Sequence, residues 1–102
     1  MTNDEKKPES QVQMYIHVTL GRYLRKLELL ELDKLPHHQR PVPTLTELAD
    51  VVGISRVAMS NMANDKMKLL NLKSLSMILS ELRRRGFGTQ LSDLLVAYPM
   101  SR

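Results

Sequence analysis

The sequence predicts a mainly α domain of five short helices, with a short N-terminal strand over about residues 12–18. Three observations lead there. Apolar residues recur at helical spacing in successive stretches, proline and glycine punctuate the chain between them, and 102 residues with 42% hydrophobic and 25% charged composition have the size and balance of one globular domain. A chain this short buries only about 60–70% of the surface its unfolded form exposes, so one modest core or a dimer interface must carry its stability. An enzyme with separate cofactor and substrate domains does not fit. The chain has no cysteine, which excludes disulfide scaffolds, Cys-ligated zinc and thiol catalysis. No apolar run approaches about 18 residues, and the start is polar with mixed charge, so neither a membrane span nor a signal peptide is predicted. The expected compartment is the cytoplasm.

Met1 to Ser10 carries two Lys, three acids and a Pro, with no apolar residue after Met1. Such a segment is expected to be a disordered tail, leaving residues 11–102 as the folded domain. From Val12 two templates compete. Val12, Met14, Ile16, Val18 and Leu20 alternate as in a half-buried strand, whereas Ile16, Leu20, Tyr23, Leu24, Leu27 and Leu30 recur at helical spacing. β-branched enrichment assigns a strand up to Val18, and Thr19 is placed to cap a helix running to about Lys34. Pro36, Pro41 and Pro43, with His37 and His38 among them, end that helix and make a loop, because proline lacks the amide proton and pushes its predecessor out of the helical region.

Thr44-Leu45-Thr46-Glu47 reads as a capping box, the Thr44 hydroxyl accepting from the Glu47 amide and the Glu47 carboxylate reaching back to the Thr44 amide. Gly53 suits a tight turn with positive φ. Ser55 then caps a helix from Arg56 to about Asn64, and Asn64-Asp65 ends it. A fourth helix is expected from about Leu72 to Arg85, with Leu72, Leu75, Ile78, Leu79 and Leu82 on one face and basic residues in its last turn. Gly86-Phe87-Gly88 links it to a final helix capped by Thr89 and carrying Leu91, Leu94 and Leu95, and Pro99 is expected to stop regular structure in Val96-Ala97-Tyr98.

Residues 44–64 therefore spell a helix of about eight residues, a turn on Gly53 and a second helix of about nine, which is helix-turn-helix geometry. Leu48, Val52, Ile54, Met59 and Met62 fall inward, and Ala49 is the small residue that lets the two helices approach. Arg56, Val57, Ser60, Asn61 and Asn64 fall outward. A solvated helical face would carry Glu and Lys. This one has an Arg, two Asn, a Ser and a Val, and it suits the major groove: Arg donates to guanine O6 and N7, Asn pairs with adenine N6 and N7, and Val touches a thymine methyl. The net charge of +4 is concentrated, residues 56–85 carrying seven Lys or Arg against two Asp or Glu, as on a polyanion-binding face.

The stretch LTELADVVGISRVAMSNMANDK, with Leu48-Ala49 and the turn Gly53-Ile54-Ser55, resembles the lambda repressor/Cro-type (xenobiotic-response-element) helix-turn-helix family. LKSLSMILSELRRRGFGTQLSDLL, closing on Leu91-Ser92-Asp93-Leu94-Leu95, is similar to that family's fourth and fifth helices. The helix with Leu20, Leu24 and Leu27 is similar to its first, so the resemblance spans roughly residues 16–96. It implies a five-helix repressor-like fold, base reading by Arg56, Val57 and Asn61, and phosphate contacts at Thr44, Thr46, Ser55, Asn64 and Lys66. The chain departs from the family pattern in two places. Ala63 and Asp65 stand where an acidic residue and a glycine are usual, which removes a helix-fixing ion pair and sets a carboxylate near phosphate; the stretch Pro36 to Pro43 is longer than the usual connection.

The residues themselves add Ser60 to the base-facing stripe and Lys68, with Lys66, to the phosphate contacts, along with exposed helix-start amides near Thr46 and Val57. Three side chains reading one half-site select weakly, so a homodimer on a pseudo-palindromic operator with half-sites about 34–36 Å apart is expected. Its interface is expected from Val12, Met14, Ile16, Leu94, Leu95, Val96 and Tyr98, which are more apolar than one small domain needs and where strand exchange would cover open edges.

Other readings of these residues are structural. Arg83, Arg84 and Arg85 fit either a phosphate grip or a solvated helix end. Val57 either reads a base or leans on the preceding helix, and the seven Met fit adaptable core filling. His37 and His38 are adjacent and do not converge on one metal, so neither metal nor cofactor is expected. No nucleophile–base arrangement or phosphate-cradling loop argues for an enzyme. The alternative function is a protein-binding module, such as the antitoxin of a toxin–antitoxin pair, acting through Val12 to Lys34.

Overall fold

The computed structural model describes residues 14–66 and 71–99; the expected tail, Val12 and Lys68 lie outside them. In chain order the elements are β1 (Met14–Val18), α1 (Leu20–Leu32), a 3-10 turn (Pro36–His38), α2 (Leu45–Val52), α3 (Arg56–Ala63), α4 (Leu72–Arg84), α5 (Leu91–Leu94) and β2 (Leu95–Pro99). The described part is thus mainly helical with a two-stranded sheet. None of its helices is long and apolar enough to cross a membrane.

Helices α2, α3 and α4 start where a side chain takes free amides of the first turn. At α2 the full reciprocal box forms: Glu47 N donates to Thr44 Oγ1 (3.1 Å) and Thr44 N donates to Glu47 Oε1 (3.0 Å). Ser55 Oγ accepts from Ala58 N (3.0 Å) at α3, and Asn71 Oδ1 accepts from Lys73 N and Ser74 N at α4. The hydroxyl of Thr19 does not cap α1. It donates to the Asp93 carbonyl instead (2.9 Å), so its role is to join α1 to α5.

The core is the apolar face of every helix turned to one centre: Leu20, Leu24 and Leu27 from α1, Leu48 and Ala49 from α2, Met59, Met62 and Ala63 from α3, Leu75, Ile78 and Leu82 from α4, then Phe87 and Leu94. Gly21 lets α1 reach the end of α3, since a Cβ there would stand 3.0 Å from the Ala63 carbonyl oxygen. Leu72, expected on the inward face of α4, is 73% exposed; as the first helical residue it projects past the last turn of core. Thr89, expected to cap α5, is fully buried with its Oγ1 2.7 Å from the Tyr23 hydroxyl. The cap falls one residue later, where Gln90 N donates to Asp93 Oδ2 (2.8 Å).

The C-terminal segment differs most from expectation. The final helix is a single turn ending at Leu94, and Leu95–Pro99 is a strand, antiparallel to β1 with Tyr15 opposite Tyr98 and His17 opposite Val96. β-branched and aromatic residues on both segments favour that pairing. Pro99 does not interrupt it, because a proline is tolerated on an edge strand where its missing N–H would face away from the ladder.

The long loop between α1 and α2 has a structural use. The buried Glu31 carboxylate accepts from Arg40 N (2.6 Å), Arg40 Nη2 (3.2 Å) and Lys34 Nζ (2.8 Å). The Arg40 guanidinium also donates to the Gly86 carbonyl and lies 4.5 Å over the Phe87 ring. One loop residue therefore binds the end of α1 to the end of α4.

Candidate nucleic-acid interface

The turn between α2 and α3 is made by Gly53, whose φ of 84° lies in the left-handed region. Its N–H and that of Ile54 both donate to the Ala49 carbonyl, closing α2 and reversing the chain. Met59, Met62 and Ala63 then fasten α3 to the core. Because a helix has 3.6 residues per turn, that burial leaves Arg56, Val57 and Asn61 on the opposite side, and all three are exposed. Val57 is 71% exposed, so it stands outward and does not lean on α2. Among the described residues, neither the Arg56 nor the Asn61 side chain has a hydrogen-bond or ion-pair partner. Ser60 is half-buried, and its hydroxyl is 3.4 Å from Asn64 Nδ2, a pairing that holds it beside the stripe, not at its crest.

The expected backbone-contacting residues surround this stripe. Thr44, Thr46, Ser55, Asn64 and Lys66 are all exposed. The hydroxyls of Thr44 and Ser55 accept from helix amides, yet each keeps its own proton to donate outward. Lys68 lies outside the described residues.

Asp65 is the unusual member. Its backbone is left-handed, with φ 61°. Its carboxylate faces β1, Oδ1 accepting from Val18 N (3.0 Å) and Oδ2 standing 2.7 Å from His17 Nδ1. The Val18 amide first, then His17, hold its pKa below the usual carboxylate range. What stood in the sequence as a misplaced charge is the latch between the end of α3 and the strand.

Two arginines missed by the sequence reading belong to this surface. Arg22 and Arg25 of α1 line, with Glu28, Thr44 and Asn64, an open hollow of about 570 Å³ between α1, the start of α2 and the end of α3. Their spacing of three on one helix face was the available signal, hidden because the charge of α1 sums nearly to zero. The Arg83-Arg84-Arg85 triplet, by contrast, is largely engaged. Arg83 Nε donates to the Thr89 carbonyl (2.7 Å), and Arg84 and Arg85 both hold the buried Glu81 carboxylate at 2.6–2.9 Å. Those guanidiniums draw the Glu81 pKa down to about 2.

The expected dimer residues divide. Leu94 is fully buried in the core and cannot also serve an interface. Leu95 and Val96 are half-buried, Ile16 and Tyr98 are exposed, and Met14 begins β1. The strands pair within the chain, so the segments expected to exchange between subunits already partner each other. Compared with known proteins, the chain matches no family model, no curated protein and no solved structure.

Proposed function

We propose that this chain is a sequence-specific DNA-binding regulator of the helix-turn-helix kind, with α3 as the recognition helix and a homodimer as the active form. The observation that carries the reading is the outward stripe of Arg56, Val57 and Asn61 on a helix whose other face is locked in the core. A guanidinium, a carboxamide and a methyl-bearing side chain are the groups that read guanine, adenine and thymine edges. Around them Thr44, Thr46, Ser55, Asn64, Lys66, Arg22 and Arg25 supply neutral and cationic donors for phosphate, which set register without reading sequence. The repressor-like resemblance of residues 16–96 agrees with this assignment.

Selection of bound fragments from random duplex DNA, followed by titration of variants on the selected site, tests it. Arg56→Ala and Asn61→Ala should each lose about 1–3 kcal/mol on that site, while Lys66→Ala weakens all sequences alike. If all three bind as the parent does, α3 is not the recognition helix.

A second reading, a protein-binding module of the antitoxin type, is favoured by the exposed Leu29, Leu30, Leu32 and Leu35 at the end of α1 and beyond it. A partner held there copurifies at high salt, where phosphate contacts fail and apolar ones persist.

A further inference from the structure

The geometry points to a specific dimer: two copies of this chain joined through the outer edge of β1, making a four-stranded antiparallel sheet in the order β2-β1-β1-β2 about a twofold axis. It deepens the regulator reading, since a reader of a pseudo-palindrome needs a twofold interface, and it names which of the two strands supplies that interface.

Antiparallel ladders alternate, each residue turning its N–H and C=O either to one neighbour or to the other side. The Val18 N–H goes to Asp65, so Val18 faces away from β2, and by alternation so do Ile16 and Met14, leaving Tyr15 and His17 to bond with Tyr98 and Val96. On β2 the outward set is Leu95, Ala97 and Pro99. Leu95 N already donates to the Leu91 carbonyl, and Pro99 has no N–H. Among the described residues, the β2 edge therefore keeps one outward donor, the Ala97 N–H, whereas on the β1 edge only the Val18 N–H is taken. The N–H and C=O groups of Ile16 and Met14 have no partner among the described residues.

Nothing about that edge is built to stay in water. Exposed edges are ordinarily shielded by charge, proline or a bulge, yet Met14 to Val18 and Leu95 to Pro99 contain no Lys, Arg, Asp or Glu. Ile16 is 63% exposed, above a shallow apolar hollow shared with Leu91, Leu95 and Ala97. A two-stranded ribbon is marginal alone; this one contacts α5, and further strands would add to its stability. With Val18 blocked, the twofold register that uses both open residues sets Ile16 of one copy opposite Met14 of the other, with the two Tyr15 residues facing across the axis. Since Asp65 ties β1 to the end of α3, this pairing also sets how the two recognition helices stand relative to each other.

Molar mass in solution tests the inference, measured by light scattering on the full chain. The parent should have twice the chain mass; Ile16→Lys, which places charge on the edge, and Ile16→Pro, which removes an outward N–H and fixes φ there without taking a β1–β2 hydrogen bond, should each halve it, with helical circular dichroism unchanged. Leu32→Glu, on the other exposed apolar patch, should remain dimeric. A monomeric parent, or dimeric Ile16 variants, overturns the proposal, as does a Leu32→Glu variant that alone dissociates. Amide hydrogen exchange of the unaltered protein guards against misfolded variants: the Ile16 N–H should gain protection as concentration rises through the dimerisation range, and free exchange in the dimer overturns the proposal. Half-site duplex binding separates the two readings. Monomeric variants that hold a half-site as the parent does support both, whereas dissociation on cue with no DNA bound by any form leaves the dimer standing and removes the regulator.

Discussion

Glu31 shows how much one side chain can organise. Its carboxylate takes three donors from Lys34 and Arg40, and these hydrogen bonds, led by the Arg40 amide, lower its pKa from 4.5 to about 2. Glu81 is lowered to about 2 in the same way by Arg84 and Arg85. A carboxyl depressed on folding adds stability that is fully present above its unfolded value and is lost as pH falls through its folded one, because protons then bind the unfolded chain first. The thermal midpoint should therefore drop between about pH 4.5 and pH 2. Glu31→Gln and Glu81→Gln should each be less stable than the parent at neutral pH and show a flatter decline, read by circular dichroism melts across pH. At Asp65 the same logic is local. Asp65→Ala leaves the Val18 N–H without its acceptor, so hydrogen exchange at Val18 should quicken while core amides of α4 keep their protection.

Among the elements, the joint between α2 and α3 is the most exacting. Gly53 has φ 84° and no atom within 4 Å of where a Cβ would sit. Any loss on substitution there is one of backbone conformation alone. Gly53→Ala should reduce stability in urea denaturation by about 1–2 kcal/mol, the excess of the left-handed conformation for a residue with a Cβ. Gly53→Asn should lose less, since its side chain tolerates that region. At the start of α2, Thr44→Ala removes the hydroxyl half of the capping box while keeping the backbone N–H that donates to Glu47, and should lose about 1 kcal/mol. Burial matters more within α3: Met59 is fully buried, and Met59→Ala should remove about 2–5 kcal/mol through lost contacts and the cavity left behind. On the proposed function, such a variant should lose DNA binding by unfolding, which a melt distinguishes from a folded Arg56→Ala that should lose only the base contact.

For the whole molecule, the placement of charge matters more than its sum. Each phosphate neutralised releases counterions, so a dimer holding about six phosphates should show log affinity falling with log salt at a slope of about −5. Arg22→Ala and Arg25→Ala should each make that slope shallower by about 1 per subunit engaged. Arg84→Gln should leave it unchanged, because that guanidinium is already bound to Glu81 at 2.6–2.9 Å. Fluorescence anisotropy on the selected duplex at a series of salt concentrations separates the three.

Local chemistry was readable wherever cause and effect lie within a few residues. The Thr44 box, the left-handed Gly53, the Ser55 cap and the inward Met59 and Met62 all follow from spacing along the chain, and with them the outward stripe of Arg56, Val57 and Asn61. Relations across 48 residues between His17 and Asp65, or between Ile16 and Ala97 in the sheet, carry no such signature, since a hydrogen bond depends on proximity in space and neither partner announces the other. That is why Val96 to Tyr98 looked unstructured and Leu94 looked free for an interface. Tertiary packing alone decided that Asp65 is a latch, that Arg40 closes the long loop on Glu31, and that the outward N–H of Val18 on the β1 edge is taken by Asp65.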